Sequence, residues 1–311
     1  MIDIVIVNWN SGLQIKRCIH SLIIHEQEDL AHIVVLDNAS TDGSTTALES
    51  LTNVKVRYSA TNLGFGAACN LGAKSGNSPY ILFLNPDTRL ERNSLSVPLK
   101  FMEQPENSTV GVCGIQLVDE QSKVSRTCAR LPTLGRFVSS ALGVNKLPGL
   151  SGSGIHMSDW DHDTSREVDH VMGAFYLVRR ELFEQVGGFD ERFFVYLEDV
   201  DLSKVVKDAG FSIWYLTEAN AFHAGGGASR QVKAHRLFYS LRSRLLYAFK
   251  HFPQWKAWCL LAVTNLLEPL TRTIWCLLRR DFAGVKYTWA AYRMLWRSMG
   301  HILRGDGRYN P

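Results

Sequence analysis

Four short strand-like segments in the first ninety residues constrain the fold most. They are "IDIVIV" around Val5 and Val7, "HIVVLD" ending at Asp37, "NVKVRYS", and "PYILFLN". Each is too short for a typical helix, and the first two are rich in β-branched residues, so they read as strands. Near-continuous apolarity marks strands covered on both faces, the habit of parallel sheets. After the first run, Leu13, Ile15, Ile19, Leu22 and Ile23 recur at near-helical spacing, and "NLGFGAACNLGAKSG" between the third and fourth runs is small-residued and helical after its glycines. This βαβαβαβ rhythm predicts an α/β chain with a parallel, doubly wound sheet. Right-handed crossovers then gather ligands beyond the carboxyl ends of the strands. Asn8, Asp37, Asn85 and Asp87 all fall at such ends.

From about Pro98 the pattern is mixed. "STVGVCGIQLVD" reads as a strand, and residues 128 to 164, rich in Gly, Ser and Pro, read as a long loop region. "AFYLV" is a strand leading into a short helix that Gly187-Gly188 ends. "YLEDVDLSKVVKDAGF" is a helix stopped by Gly210, followed by the strand "SIWYLT". Beyond Gly225-Gly226-Gly227 the chain turns helical and basic, which divides it into residues 1–229 and 230–311.

Several classes are disfavoured. "MIDIVIVNWN" lacks a basic leader region and a cleavage site, and reads as a strand. Six cysteines without a CxxC pair suit reduced thiols in a cytoplasmic protein. No GxGxxG follows the first strand, and no GxxxxGK[ST] occurs. From Arg230 onward 15 Lys and Arg face 3 Asp and Glu, so the net charge of +4 hides an acidic body and a basic tail.

Five stretches can carry chemistry. Asp37 in "VVLDNASTDGS" is a turn residue or an acceptor for a nucleotide's base or ribose. In "NLGFGAACN", Gly64 and Gly66 permit close backbone approach, and Asn62 and Asn70 supply amides. Asp87 with the Asn85 amide offers oxygen ligands to a hard divalent cation bridging two phosphates. "YLEDVDL" places Glu198 and Asp201 on nearly one helix face and turns Asp199 about 100° away, so the acids can have different roles. A carboxylate facing a semi-apolar cleft can be tuned to take a proton. His223 in "AFHAGGGAS" is either a satisfied buried histidine or, with Asp87, part of a site for Mg²⁺ or Mn²⁺.

Taken in order, "IVIVNWNS", "VVLDNASTDGS", "NLGFGAACNLG", "FLNPD", "MGAFYLVRRELFEQVGGFDERFFVYLEDVDL" and "FHAGGGAS" resemble the family-two inverting glycosyltransferases of GT-A fold. The closest likeness is to bacterial rhamnosyltransferases and galactofuranosyltransferases of cell-surface polysaccharide assembly. The resemblance implies a GT-A domain, a mostly parallel central sheet flanked by helices, over 1–229. Its donor half is about 1–97 and its acceptor half about 98–229, with a helical extension behind it. It implies that Val7, Asn8 and Asp37 hold base and ribose, that Asn62, Gly66 and Asn70 line the donor pocket, and that Asn85 and Asp87 occupy the position of a DxD-like metal motif. Asn85 there replaces the family's first acid. His223 would complete the metal site. Asp199 would be the catalytic base, with Gly173 and Glu198 beside it in the acceptor pocket. The implied reaction moves a sugar, rhamnose first, from a dTDP-activated donor to a lipid-linked or oligosaccharide acceptor. A UDP-galactofuranose or other hexose donor, and a binding subunit without turnover, are the alternatives.

In the tail, Trp255, Trp258, Trp275, Trp289 and Trp296 alternate with Lys and Arg, and the apolar run Ala257 to Leu267 is too short to span a bilayer. Basic amphipathic helices carrying Trp suit the surface of an anionic membrane. This predicts a peripheral protein on the inner face of the cytoplasmic membrane. A helical cap or a dimer surface is the plainer reading. No motif supports nucleic acid as the partner.

Overall fold

In the computed structural model, which describes residues 1–25, 29–225 and 233–305, the four segments are β1 (Ile2–Asn8), β2 (Leu30–Asp37), β3 (Val54–Tyr58) and β4 (Tyr80–Leu84). They lie in the order β3-β2-β1-β4, each neighbouring pair parallel. β1 is buried along its whole length, as a strand covered on both faces must be. Helix α1 (Leu13–His25) brings Ile15, Cys18, Ile19 and Leu22 into one core with Ile4, Ile6, Ile33 and Val35. Helix α2 (Phe65–Ala73) lies close against β1. A Cβ on its Gly72 would stand 2.4 Å from Val5 Cγ1, so only glycine permits that approach.

The expected helix between β2 and β3 is absent; a single 3-10 turn, Thr46–Leu48, replaces it. The cause is local. Side chains of this Asn/Ser/Thr/Asp segment bond backbone groups that a helix would need: Ser40 N–H donates to Asp37, and Ser44 N–H to Asp42.

The remaining elements are β5 (Thr88–Leu90), α3 (Ser96–Glu103), β6 (Val110–Val118), α4 (Leu134–Leu142), β7 (Arg166–Val168), β8 (Phe175–Arg179), α5 (Arg180–Gln185), α6 (Glu198–Asp208), β9 (Ser212–His223), α7 (Lys233–His251), α8 (Gln254–Ala262), α9 (Glu268–Leu278) and α10 (Phe282–Arg304). The nine-stranded sheet runs β3-β2-β1-β4-β8-β6-β9-β5, with β7 also on β9. Beyond β4 it is mixed, because β8 runs antiparallel to both β4 and β6. Residues 128 to 164, expected as loop, contain α4. Thr133 caps it by accepting from Arg136 N–H, and Gly143 ends it at φ +74°.

Two compact units emerge. One holds residues 1–130, 160–190 and the stretch from Asp199 through β9; the other holds 131–159, 191–198 and the helices from α7 onward. The second unit has its own core, with Phe238, Leu241 and Leu245 of α7 and Ala291, Tyr292 and Leu295 of α10 buried. Within it Glu268, fully buried, pairs with Arg244 and Arg272.

Asp3, at the end of β1 away from Asn8, is 1% exposed. Burial alone would raise its carboxyl. The Ser78 N–H, the His32 ring, the Ser78 hydroxyl and the Arg180 guanidinium outweigh burial and hold it below the usual carboxylate range. Asp3→Ala leaves the Arg180 charge without this partner, and is expected to cost about 3–5 kcal/mol. A folded carboxyl lowered in this way stabilises above its unfolded pKa, and that share is lost as pH falls through its folded pKa. Urea midpoints measured against pH should therefore fall on the acid side in the native chain, and Asp3→Asn should flatten that fall.

Candidate active site

The carboxyl ends of β1 and β2 meet in register, Asn8 opposite Asp37, next to the Val7–Leu36 pair. Asn8 is fully buried and Val7 is 7% exposed. The Asn8 amide donates toward Asp37 Oδ2 (3.0 Å), Ser40 Oγ (3.0 Å) and Ser44 Oγ (2.8 Å), and the Ser11 hydroxyl bonds its carbonyl oxygen. Asp37 Oδ2 also accepts from the Thr45 hydroxyl at 3.0 Å. The Asp37 carboxylate thus ties together the loop that follows β2. Both residues shape the loop, and little acceptor capacity is left on Asp37 for a ligand.

Asn38, which sequence reasoning passed over, links this loop to the entrance of α2. Its amide donates to Asn62 Oδ1 (2.9 Å) and Gly64 O (3.2 Å), while its oxygen accepts from Leu63 N–H (2.8 Å). Gly64 sits at φ +83°, the left-handed region that glycine adopts freely. Gly66 is buried on α2. Asn70 exchanges two 2.9 Å hydrogen bonds with the backbone N–H and C=O of Phe189, so its side chain clamps the chain after α5.

Asp87 and His223 come together. Their segments pair antiparallel, Thr88 opposite His223. His223 Nε2 lies 3.2 Å from Asp87 Oδ1, and both side chains are about nine-tenths buried. Asp87 borders a cavity of about 70 Å³ that Arg17, Arg89 and Glu120 also line. One carboxylate oxygen and one imidazole nitrogen suit a divalent ion such as Mg²⁺ or Mn²⁺, with phosphate oxygens and water completing its shell. Among the described residues no group of three or more His, Cys, Asp and Glu forms a ready protein cage, so the fit is to an ion shared with a ligand. The glycines after Gly225 lie outside the described residues.

Asp199 is set apart from its acidic neighbours. Glu198 is 6% and Asp201 1% exposed, whereas the Asp199 side chain is 19% exposed. Its Oδ2 accepts from Gly173 N–H at 2.9 Å and its Oδ1 from Val200 N–H at 2.9 Å. His170 Nε2 stands 3.6 Å from Oδ2, a contact that no sequence pattern announces. Tyr196 and Leu197, just before α6, hold left-handed backbones at φ +69° and +66°. Such strain in bulky residues is tolerated mostly at functional sites.

Two adjacent residues join the two acidic centres. Gly173 N–H bonds Asp199, and the Ala174 carbonyl accepts from Asn85 N–H (3.1 Å) and the Thr88 hydroxyl (3.4 Å). Asp87 therefore sits between two residues anchored to Ala174, while Asp199 is anchored to Gly173. A Cβ on Gly173 would come within 3.2 Å of Asp199 Oδ2, so this close approach favours glycine.

The profile of glycosyl transferase family 2 matches residues 3–187. The N-acetylglucosaminyl-diphospho-decaprenol L-rhamnosyltransferase of Mycobacterium tuberculosis is 27% identical over 270 residues, covering 83% of this chain and 87% of the relative. Rhamnosyltransferase WbbL of Escherichia coli is 30% identical over 193 residues, 59% of this chain and 69% of the relative. The mannosyltransferase PcManGT of Pyrobaculum calidifontis, solved with GDP-Man and Mn²⁺, superposes with a TM-score of 0.56 at 15% identity, over 95% of this chain and 86% of that one. With the mixed sheet and the C-terminal helices, these findings make the chain a glycosyltransferase of GT-A fold, and it belongs to glycosyl transferase family 2.

Proposed function

We propose that the chain transfers L-rhamnose from dTDP-rhamnose to a lipid-linked acceptor with inversion, in cell-surface glycan synthesis. The observation that carries this reading is the Gly173–Ala174 junction: Gly173 holds the accessible carboxylate Asp199, and Ala174 holds Asn85 and Thr88, which flank the Asp87 of the Asp87–His223 pair. Rhamnose and the lipid-linked acceptor are supported by the names of the relatives. Asp87 and His223 are the residues that would hold the divalent ion, with Asn85 beside them. When bound, the ion supplies charge stabilisation to the departing nucleoside diphosphate.

Asp199 takes the proton of the acceptor hydroxyl. That oxygen forms its bond to the anomeric carbon from the face opposite the leaving group, whose anomeric carbon–oxygen bond breaks with the electron pair leaving on the diphosphate. A single displacement inverts the centre. Gly173 borders the acceptor side. Val7, Asn8, Asp37, Asn62, Gly66 and Asn70 serve the donor side chiefly by building its walls. A panel of dTDP-, UDP- and GDP-sugars, assayed for metal-dependent nucleotide release, tests this. Release confined to dTDP-rhamnose is expected; preference for a UDP-hexose removes the rhamnose assignment.

We infer that the enzyme works on the inner face of the cytoplasmic membrane, bound through the helices of the second unit. No helix among the described residues is long and apolar enough to cross a bilayer. On α9, however, Leu270 (54%), Ile274 (56%), Leu277 (49%) and Leu278 (75%) are exposed, and at 3.6 residues per turn they fall within an arc of about 100°. Trp255, Trp258, Phe282 and Trp296 are exposed on the helices either side. Residues 254–304 carry eight Lys and Arg against Glu268 and Asp281 alone; Glu268 is consumed by its buried pairs and Asp281 caps α10. A second copy meeting this face would oppose like charges, whereas an anionic bilayer complements both the charge and the apolar stripe. The native chain should co-sediment with phosphatidylglycerol vesicles and lose most of that binding in Ile274→Glu/Leu278→Glu. Equal binding by the two proteins removes the membrane assignment.

A further inference from the structure

His170 is a buried titratable side chain that the reaction scheme leaves unused. It is 4% exposed, and its backbone carbonyl is pinned by Ala129 N–H at 3.1 Å. The ring is held at both edges. Nδ1 lies 2.9 Å from Ser203 Oγ, which itself donates to the Asp199 carbonyl at 2.8 Å and meets the Tyr176 hydroxyl at 3.2 Å. Ser203 and Tyr176 are fully buried. Nε2 faces Asp199 Oδ2 at 3.6 Å, longer than a hydrogen bond. The serine hydroxyl has one hydrogen, directed to the Asp199 carbonyl, so toward the ring it accepts and Nδ1 carries a hydrogen. His170, Ser203 and Tyr176 thus brace both the backbone and the side chain of one residue.

We propose that His170 is a positioning residue for Asp199: its ring, oriented by Ser203 at Nδ1, sets the polar Nε2 against the carboxylate and holds the geometry in which it meets the acceptor hydroxyl. The proposal rests on the reading of Asp199 as the base. A carboxylate released by a small rotation loses its near-attack alignment, which can cost about 10²-fold in rate. Two features set this apart from plain core packing. The polar atoms of the brace converge on Asp199, and Ser203 reaches it from the same helix, four residues on.

The test compares His170→Phe, His170→Gln and Ser203→Ala in the intact chain with native and Asp199→Asn proteins. His170→Phe is expected to lower kcat about 10- to 100-fold with donor KM within about threefold. His170→Gln, whose amide nitrogen reaches the Nε2 position, should recover most of that loss, and Ser203→Ala should show a smaller fall of the same kind. Because the residue acts through Asp199, adding His170→Phe to Asp199→Asn should lower the residual rate no further. Unchanged kcat in His170→Phe, or a multiplicative loss in the double variant, overturns the proposal. If Asp199→Asn is itself fully active, it is the base assignment that fails. Should His170→Phe not fold, the glutamine and alanine variants decide: native kcat in both overturns it, and a fall in Ser203→Ala without change in donor KM supports it.

Discussion

Asp199→Asn is expected to bind donor as tightly as the native chain and to turn over about 10²–10⁴-fold more slowly. The substitution keeps the size of the side chain and an oxygen for the Gly173 N–H, which donates to Oδ2 at 2.9 Å. What it removes is the capacity to take a proton. Asp199 contacts Gly173 and His170, not the Asp87–His223 pair, so titration calorimetry with the nucleotide sugar should give the same Kd for both proteins. Single-turnover kinetics should place the whole loss in the chemical step. Native turnover in Asp199→Asn excludes it as the base.

Asp87→Ala should instead abolish most of the metal-dependent part of donor binding. Asp87 and His223, 3.2 Å apart, are the proposed oxygen and nitrogen ligands. Deleting the carboxylate removes the negative charge of that pair. Charge stabilisation by a bound metal is worth several kcal/mol, so a loss on the order of 10²–10³-fold in kcat/KM is expected at 1.36 kcal/mol per decade. Calorimetry with and without Mn²⁺ checks it: the metal should strengthen donor binding by the native chain and scarcely affect Asp87→Ala. His223→Ala should show the same signature more weakly, because it leaves the carboxylate. Metal-strengthened binding that survives Asp87→Ala places the ion elsewhere.

Much of this arrangement was legible along the chain. Short β-branched apolar runs favour buried strands, as in β1 and β4, and β1, β2, β3 and β4 lie in the expected parallel set with Asn8, Asp37, Asn85 and Asp87 at or just beyond their carboxyl ends. Less legible was the β2–β3 crossover, where Asp37 and Asp42 spend their side chains on the backbone and prevent a helix. The helix α4 was hidden by weak periodicity in a Gly/Ser-rich stretch; its Thr133 and Gly143 caps bound it.

Which side chains stand at strand ends and helix starts could be read along the chain, because those positions follow from local periodicity and turn chemistry. Which of them meet is a property of the folded chain. Folding set His223 against Asp87, turned Asn70 into a clamp on Phe189, and gave Asp199 the Gly173 amide and the His170 ring. These contacts arise from pairing β4 with β8 and β5 with β9. Such pairings join residues remote along the chain, and their register is fixed by packing and hydrogen bonding across the sheet, not by any local pattern.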